Sequence, residues 1–264
     1  MDSSEVYRLT GVSRLYGDVA ALAGVDLTIH KGEWLSIVGP SGSGKTTLMN
    51  ILGCMDTASA GTVLLDGEHL DRQGERELAI IRRRRIGLIF QKFHLVKHLT
   101  ALENVMVAQY YHSMPDEAEA RAALERVGMG ARATHLPRQM SGGEQQRVCV
   151  ARALINAPSV VLADEPTGNL DEANEKIVLD LFRQLHDEGT TLIVVTHDAM
   201  VAAQGQRLKL GRLDDTTAET AAAPARYRGH RRGIRCGRFR GNVTLAVGRQ
   251  PDGSGYGGGR VDGT

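Results

Sequence analysis

The sequence has little cysteine and no long apolar run. Its three cysteines stand far apart, at positions 54, 149 and 236, which excludes a disulfide framework or a cysteine zinc site and is typical of a reducing compartment. No apolar run approaches the roughly 20 residues that a membrane-spanning helix needs. The N-terminus lacks the basic start and apolar stretch of a signal peptide. We therefore expect any membrane-spanning part of the system to be another chain.

The sequence also has no overall excess of charge of either sign. Its 32 basic and 31 acidic residues give a formal charge of +1, which excludes a global attraction to nucleic acid or to an anionic membrane. Charge and glycine are unevenly distributed along the chain, because residues 211–264 hold ten arginines, five acidic residues and 12 of the 31 glycines. The chain as a whole is 42% apolar, and it is long enough to bury a core. The chain is therefore predicted to be a near-neutral body with a basic, glycine-rich tail.

The apolar pattern of the body predicts an α/β fold. Short alternating runs over residues 5–38 predict antiparallel strands that lead into one buried strand. Continuous apolar runs at 86–90, 160–163 and 191–195, separated by helical patterns, favour a parallel sheet covered on both faces. Functional groups are expected where those strands end.

The segment after the first buried strand fits the phosphate-loop pattern G-x-x-x-x-G-K-[ST]. Its backbone N–H groups and the start of the next helix favour a phosphate chain. Lys45 is expected to contact the β and γ phosphates, and the Thr46 hydroxyl to bind Mg²⁺. The predicted nucleotide-binding residues are Gly39, Pro40, Ser41, Gly42, Ser43, Gly44, Lys45, Thr46 and Thr47.

Two acidic residues end the apolar run 160–163. Asp164 is placed to hold the Mg²⁺ of a phosphate-loop enzyme. Glu165 is one residue further on, where a carboxylate would orient and deprotonate the attacking water. The alternative is a solvated acidic turn after a core strand.

The segment Met140-Ser-Gly-Gly-Glu144 resembles the signature of ATP-binding cassette (ABC) ATPases, usually written Leu-Ser-Gly-Gly-Gln. Met140 and Glu144 depart from that pattern at its two outer positions. Ser141 and the N–H groups of Gly142 and Gly143 open a helix and form a second anion site. The resemblance implies a head-to-tail dimer, in which the signature of each subunit closes over the γ phosphate held by the other's phosphate loop.

The resemblance also implies a fold and further site residues. It implies a nucleotide-binding domain at 1–211 with a P-loop NTPase (RecA-like) core, an N-terminal antiparallel β subdomain and an inserted helical subdomain at about 92–157. ATP and Mg²⁺ are the implied cofactors. It assigns Tyr16 to adenine, Gln91 to Mg²⁺ and the attacking water, Asp171 to the loop that crosses the dimer interface, and His197 to the γ phosphate. A core tyrosine and a structural histidine are the alternatives at positions 16 and 197.

Residues 90–95, 99–105 and 162–171 resemble one branch of the family, which serves lipoprotein release, macrolide export, antimicrobial-peptide export and cell division. The expected assembly is a dimer of such subunits on the cytoplasmic face of the inner membrane, a homodimer with a heterodimer as the alternative. Its permease partner would carry a large extracytoplasmic domain and provide the membrane contact, and no nucleic acid is expected. A cell-division module that signals to wall hydrolases is the alternative.

The sequence allows two or more interpretations for the role of some segments. Phe93 and Leu95 either contact the permease or pack inside the helical subdomain. Arg82–Arg85 form either a solvated helix end or a contact near the membrane partner or anionic lipid head groups. Residues 212–264 are expected to be disordered, because they hold only six Leu, Ile and Val residues after Arg212. This tail is a basic arm for nucleic acid or anionic lipid, an inert extension, or an out-of-frame translation of GC-rich DNA.

Overall fold

Two β-sheets and a group of helices form the body of the chain in a computed structural model, which describes residues 4–212 and 243–247. The strands are β1 (Glu5–Tyr16), β2 (Val19–His30), β3 (Trp34–Val38), β4 (Ala60–Leu65), β5 (Glu68–His69), β6 (Ile86–Phe90), β7 (Val160–Asp164), β8 (Thr191–Val195), β9 (Gln206–Arg212) and β10 (Val243–Val247). The helices are α1 (Lys45–Leu52), α2 (Glu75–Arg85), α3 (Ala101–His112), α4 (Glu117–Arg126), α5 (Gly142–Leu154), α6 (Glu172–Asp187) and α7 (Ala199–Ala202). Two 3-10 turns, Gly130–Arg132 and Pro137–Gln139, precede α5.

The two sheets differ in strand direction, as the sequence predicts. The first is antiparallel with the order β2-β1-β4-β5. The second is parallel with the order β10-β9-β3-β8-β7-β6. This architecture confirms the predicted α/β class.

Strand β7 shows why the apolar runs of the parallel sheet are continuous. Val160 and Leu162 join a core cluster formed with the antiparallel sheet and α1. Val161 and Ala163 join a second cluster formed mainly with α3, α4, α5 and α6. Because successive side chains of a strand point to opposite faces, both faces of β7 are covered and its first four positions are apolar.

Helices α3, α4 and α5 lie within the range predicted for the helical subdomain. Leu95 is partly buried against the core cluster of these helices. The Phe93 carbonyl accepts hydrogen bonds from Cys149 Sγ at 3.0 Å and from Arg152 at 3.0 Å. The burial of Leu95 favours packing inside the subdomain at that position, whereas the hydrogen bonds at Phe93 hold only its backbone against α5.

The run of arginines ends helix α2. Arg82 donates to the Cys54 carbonyl, and Arg85 forms an ion pair with Glu68 at 2.9 Å. Positive charge in a last turn is also favourable to the helix dipole. Two of the four arginines therefore connect the helix end to the body.

The C-terminal part differs from its prediction. β9 pairs with β3, and β10 continues the parallel sheet beyond β9. Disorder was expected over 212–264, whereas Val243–Val247 form a strand, because Val-Thr-Leu-Ala-Val combines β-branched and apolar residues. The rest of the tail, with Cys236 and the interpretations offered for it, lies outside the described residues. Within the described ranges, no helix combines the length and the apolarity needed to cross a bilayer.

Candidate functional site

The phosphate loop connects β3 to α1 and is closely packed. Gly44 caps α1 with a left-handed φ of 83°. At Gly39 a Cβ would lie 2.4 Å from the Leu210 carbonyl oxygen, so only glycine fits there. Lys45 Nζ donates to the carbonyls of Gly39 at 2.8 Å and Pro40 at 3.0 Å. The loop therefore wraps around the Lys45 ammonium group at the N-terminus of α1. A curled loop at a helix N-terminus is the geometry that binding of a phosphate chain requires.

Three neighbouring strands bring the predicted catalytic residues to one edge of the sheet. Phe90 pairs with Asp164, and Asp164 pairs with Val195. Gln91 follows β6 directly, Glu165 follows β7, and His197 comes two residues after β8. The phosphate loop opens at the same edge, because Ile37 of β3 pairs with Val195. The sequence predicts functional groups where the parallel strands end, and the family resemblance supplies Gln91 and His197.

Glu165 has an unusual backbone for a residue with a side chain. Its φ is +46°, in the left-handed region that residues other than glycine rarely occupy. Hydrogen bonds hold it there, from Glu165 N–H to the Val195 carbonyl at 2.9 Å and from Gly168 N–H to the Glu165 carbonyl at 3.1 Å. Strained backbone conformations of this kind are concentrated at functional sites, where contacts with the surrounding structure hold them in place.

The Glu165 carboxylate contacts His197 through both oxygens. Oε1 lies 2.8 Å from His197 Nδ1, and Oε2 accepts the His197 backbone N–H at 3.3 Å. The hydrogen bond to Glu165 raises the pKa of His197, and Lys45 opposes the rise. The two residues therefore form a charge-assisted pair at the strand ends.

Asp164 is electrostatically coupled to the same groups. Burial raises its pKa most, the charge of Glu165 raises it further, and Lys45 lowers it. A cation close to this carboxylate would offset the cost of burying its charge. Lys45, Asp164, Glu165 and His197 are therefore close enough to influence one another's charge.

The residues predicted to bind metal fit Mg²⁺ in their chemistry. Thr46, Gln91 and Asp164 offer hydroxyl, amide and carboxylate oxygens, the hard ligands that Mg²⁺ takes. In the described part of the chain, no three His, Cys, Asp or Glu residues are grouped to hold an ion by themselves. Mg²⁺ is usually held by one or two carboxylates together with substrate phosphates, so the donor set fits the ion.

The signature segment begins helix α5 with a capping box. Ser141 Oγ accepts the Glu144 N–H at 3.2 Å, and Glu144 Oε2 accepts the Ser141 N–H at 2.7 Å. The bond from Ser141 is the main reason that the pKa of Glu144 is lowered. Glu144 also forms an ion pair with Arg132 at 3.1 Å. Glutamate at this position therefore makes the same cap that glutamine makes.

The two signature glycines face the segment around Asp171. A Cβ on Gly143 would lie 1.9 Å from Asn174 Oδ1, whereas one on Gly142 would be 3.6 Å from Phe93. Asp171 fixes Asn174 by accepting its backbone N–H at 2.8 Å. Asn169 donates to the Gln91 carbonyl at 2.8 Å. The signature segment and the segment at Gln91 therefore both contact the loop around Asp171. The start of α5 lies beside this Asp171 loop.

Tyr16 lies at the tip of the β1–β2 hairpin, where it pairs with Val19. It is 47% exposed, which contradicts the alternative of a core tyrosine. Its hydroxyl donates to Asp56 at 2.6 Å, and the Arg14 guanidinium carbon lies 4.6 Å from its ring centroid. Arg14 also pairs with Asp56 at 2.6 Å.

The sequence interpretation missed three residues at the site, Arg14, Asp56 and Asn174. Arg14 is two positions before Tyr16 on a strand, so alternation alone places both side chains on one face. Asp56 is distant in sequence from Tyr16, and Asn174 is distant from Gly143, so no spacing in the sequence indicates these two contacts.

Comparison with known proteins identifies the family. The model of the ABC transporter family matches residues 22–168. An uncharacterised ABC transporter ATP-binding protein of Thermotoga maritima is 47% identical over 220 residues, which cover 80% of this chain and 94% of that protein. The lipoprotein-releasing system ATP-binding protein LolD of Shewanella denitrificans is 48% identical over 213 residues, covering 78% and 91%. The macrolide export ATP-binding/permease protein MacB 1/2 of Paracoccus denitrificans is 49% identical over 208 residues, covering 76% of this chain and 31% of that protein.

Solved structures agree with the sequence comparison. A dimeric ATP-binding cassette in a post-hydrolysis state, bound to ADP and Pi, matches with a TM-score of 0.71 and 39% identity. The match covers 77% of this chain and 94% of that one. Fold, site geometry and relatives together show that the chain belongs to the ABC transporter family and is an ATP-binding, ATP-hydrolysing cassette.

Proposed function

We propose that this chain is the ATPase subunit of a membrane transporter, which closes as a head-to-tail homodimer on ATP and drives a separate permease. One observation carries the proposal. Glu165, His197, Asp164 and Lys45 converge at one edge of the sheet, while a second anion-binding helix start, at Ser141, lies beside the Asp171 loop. The first group supports hydrolysis, and the second supports a shared site between two subunits.

The nucleotide would lie along the phosphate loop. The backbone N–H groups of Gly39–Thr47 and the Lys45 ammonium hold the phosphates, and Tyr16 stacks on the adenine. Thr46, Asp164 and Gln91 would hold Mg²⁺, which neutralises phosphate charge when it is bound. These residues supply position and positive charge, which phosphoryl transfer chiefly requires.

Glu165 would act as the general base. Its carboxylate takes a proton from water while the water oxygen bonds to the γ phosphorus and the bond to the bridging oxygen breaks. ADP leaves with the bridging oxygen, and the γ phosphoryl group leaves as inorganic phosphate. His197 holds the carboxylate in place at 2.8 Å and adds positive charge near the phosphate when it is protonated.

The second subunit would complete the site. Its Ser141, Gly142 and Gly143 present a helix N-terminus, whose partial positive charge stabilises the γ phosphate. Its Asp171 loop contacts the signature of the same chain through Asn174, so both enter the interface together. The dimeric cassette with ADP and Pi is similar to this chain over most of its length, which supports this arrangement.

The proposed assembly is a permease with a large extracytoplasmic domain, with this subunit on the cytoplasmic face of the inner membrane. The relatives include a lipoprotein-releasing subunit and a macrolide exporter, which favours release or export. Co-purification from membranes with a permease encoded beside this gene tests the assembly. Capture of that permease is the expected result, and repeated failure with both proteins expressed would contradict it.

The enzymatic proposal is tested with Glu165→Gln and with Glu117→Gln as its control, since Glu117 pairs with Arg121 on the exposed helix α4. We expect Glu165→Gln to lower hydrolysis at least about 100-fold, because the base is lost. Light scattering should then show ATP-dependent dimers that persist. The control should keep wild-type turnover. Hydrolysis by Glu165→Gln near the wild-type rate would contradict the assignment.

A further inference from the structure

Arg14, Tyr16 and Asp56 form a closed set of contacts at the surface. The Arg14 guanidinium covers one face of the Tyr16 ring, with 4.6 Å from its carbon to the ring centroid, within the about 6 Å over which a cation attracts an aromatic face. The Tyr16 hydroxyl donates to Asp56 Oδ2 at 2.6 Å, and Arg14 pairs with Asp56 Oδ1 at 2.6 Å. Each of the three side chains contacts the other two.

These contacts leave one side of the aromatic ring accessible. Arg14 covers one face, the hydroxyl is held by Asp56, and the residue is still 47% exposed. Because Arg14 lies over one face, a ligand would reach the ring from the opposite face or its edges. A flat apolar ligand can stack there without displacing any of the three contacts.

The set is joined to the helix that begins at the phosphate loop. Asp56 follows α1, and its backbone N–H donates to the Asn50 carbonyl of that helix at 3.2 Å. The Leu15 N–H donates to Ser59 Oγ at 3.0 Å, which holds the end of β1 against the same connection. Because α1 starts at Lys45, the ring and the phosphate loop are fixed to one short helix.

We propose that Arg14 and Asp56 are positioning residues for the base of the nucleotide. Arg14 closes one face of Tyr16, Asp56 fixes the rotation of its ring, and the base stacks on the remaining face at a set distance from the phosphate loop. Their opposite charges cancel, so the pair orders the ring without adding net charge near the phosphates. The inference rests on the proposed place of Tyr16 in the ATP site.

The arrangement predicts which ligands are affected. Stacking tolerates any base because every base has a π face. ATP and GTP should therefore depend on Arg14 and Asp56 to a similar degree. Inorganic tripolyphosphate has no base and should not depend on them.

The test measures binding of ATP, GTP and tripolyphosphate to the full chain by calorimetry with Mg²⁺. Arg14→Met should weaken ATP and GTP about three- to fivefold, through loss of the cation over the ring, and leave tripolyphosphate unchanged. Arg14→Lys should restore most of the loss, because a cation remains over the ring. Arg8→Met is the matched control, since Arg8 lies on the same strand and pairs with Glu5 at 2.6 Å.

The outcomes separate this inference from the proposed function. Equal affinity of wild type and Arg14→Met for ATP would overturn the inference alone, and so would an equal loss for ATP and tripolyphosphate. If wild type binds neither ATP nor tripolyphosphate, the proposed function fails as well. Asp56→Asn provides a second test that keeps the ring and Arg14, and it should weaken ATP and spare tripolyphosphate. Thermal unfolding of each variant confirms that it is folded.

Discussion

Glu165 and His197 determine the electrostatics of the site at the scale of single residues. The Glu165 carboxylate raises the pKa of His197. The contact with Glu165 therefore stabilises the imidazolium in the folded chain, and this stabilisation is lost on unfolding. This stabilisation is complete below the usual histidine pKa of about 6.5 and disappears as the pH rises through the raised value. Since the His197 side chain is 74% exposed, the effect on overall stability is small.

The titration of His197 is the first prediction. In wild type its pKa should lie above the usual value for histidine, and in Glu165→Gln it should fall because the hydrogen-bonded charge is gone. NMR titration of the imidazole ring measures both values. Asp198→Asn serves as the comparison, because Asp198 contributes less to the rise. An identical pKa in wild type and Glu165→Gln would contradict the pair.

Gly143 gives a second prediction at this scale. In Gly143→Ala the new Cβ would overlap Asn174, with 2.6 Å to the Asn174 Cβ, and Asp171 holds that side chain in place. We expect a loss of about 1–3 kcal/mol in the free energy of unfolding and a lower rate of hydrolysis. Denaturant unfolding measures the first quantity.

Gly142→Ala is the matched control for Gly143→Ala, since its Cβ would have its nearest neighbour at 3.6 Å. The double variant Gly143→Ala/Asn174→Ala should recover part of the lost stability, because the overlapping atoms beyond Cβ are removed. Equal stability of the two single alanine variants would refute the packing explanation.

Two helices begin with the same capping device, and only one of them is at the proposed site. Thr100 and Glu103 cap α3, and Ser141 and Glu144 cap α5, each with both reciprocal hydrogen bonds. A cap of this type stabilises its helix by about 1 kcal/mol. Comparison of the two caps therefore distinguishes the structural role of a cap from a role in catalysis.

We predict that Thr100→Ala and Ser141→Ala each lower the free energy of unfolding by about 1 kcal/mol, because each leaves a helix N–H without its acceptor. Only Ser141→Ala should also reduce hydrolysis, since its hydroxyl is proposed to face the partner's γ phosphate. Chemical denaturation and a steady-state ATPase assay measure the two effects. If both variants lose hydrolysis equally, the signature contributes stability alone.

The fold of the whole molecule could be predicted wherever the apolar pattern was decisive. Continuous runs identified β6, β7 and β8 because both faces of these strands are covered, and their parallel direction brings the ends that precede Gln91, Glu165 and His197 to one edge. The contact of Asp56 with Tyr16 and the approach of Asn174 to Gly143 could not be predicted, because they join segments distant in sequence. The strand Val243–Val247 was missed because the composition of the whole tail outweighed one short β-branched run.

At the scale of the whole molecule, the central claim is that one active site is built from two chains. Lys45 and Ser141 lie on separate elements of one chain, at the starts of α1 and α5. In a head-to-tail dimer each site takes Lys45 from one chain and Ser141 from the other. Lesions at these two positions should therefore complement each other when they are carried by different chains.

The most direct test mixes Lys45→Ala chains with Ser141→Arg chains and measures ATP hydrolysis. Each variant alone has no intact site, whereas a mixed dimer has one. Random pairing makes half of the dimers mixed, so the mixture should reach up to about a quarter of the wild-type rate. Our account predicts this recovery. Activity no greater than the sum of the separate variants, or full activity of Ser141→Arg alone, would contradict it.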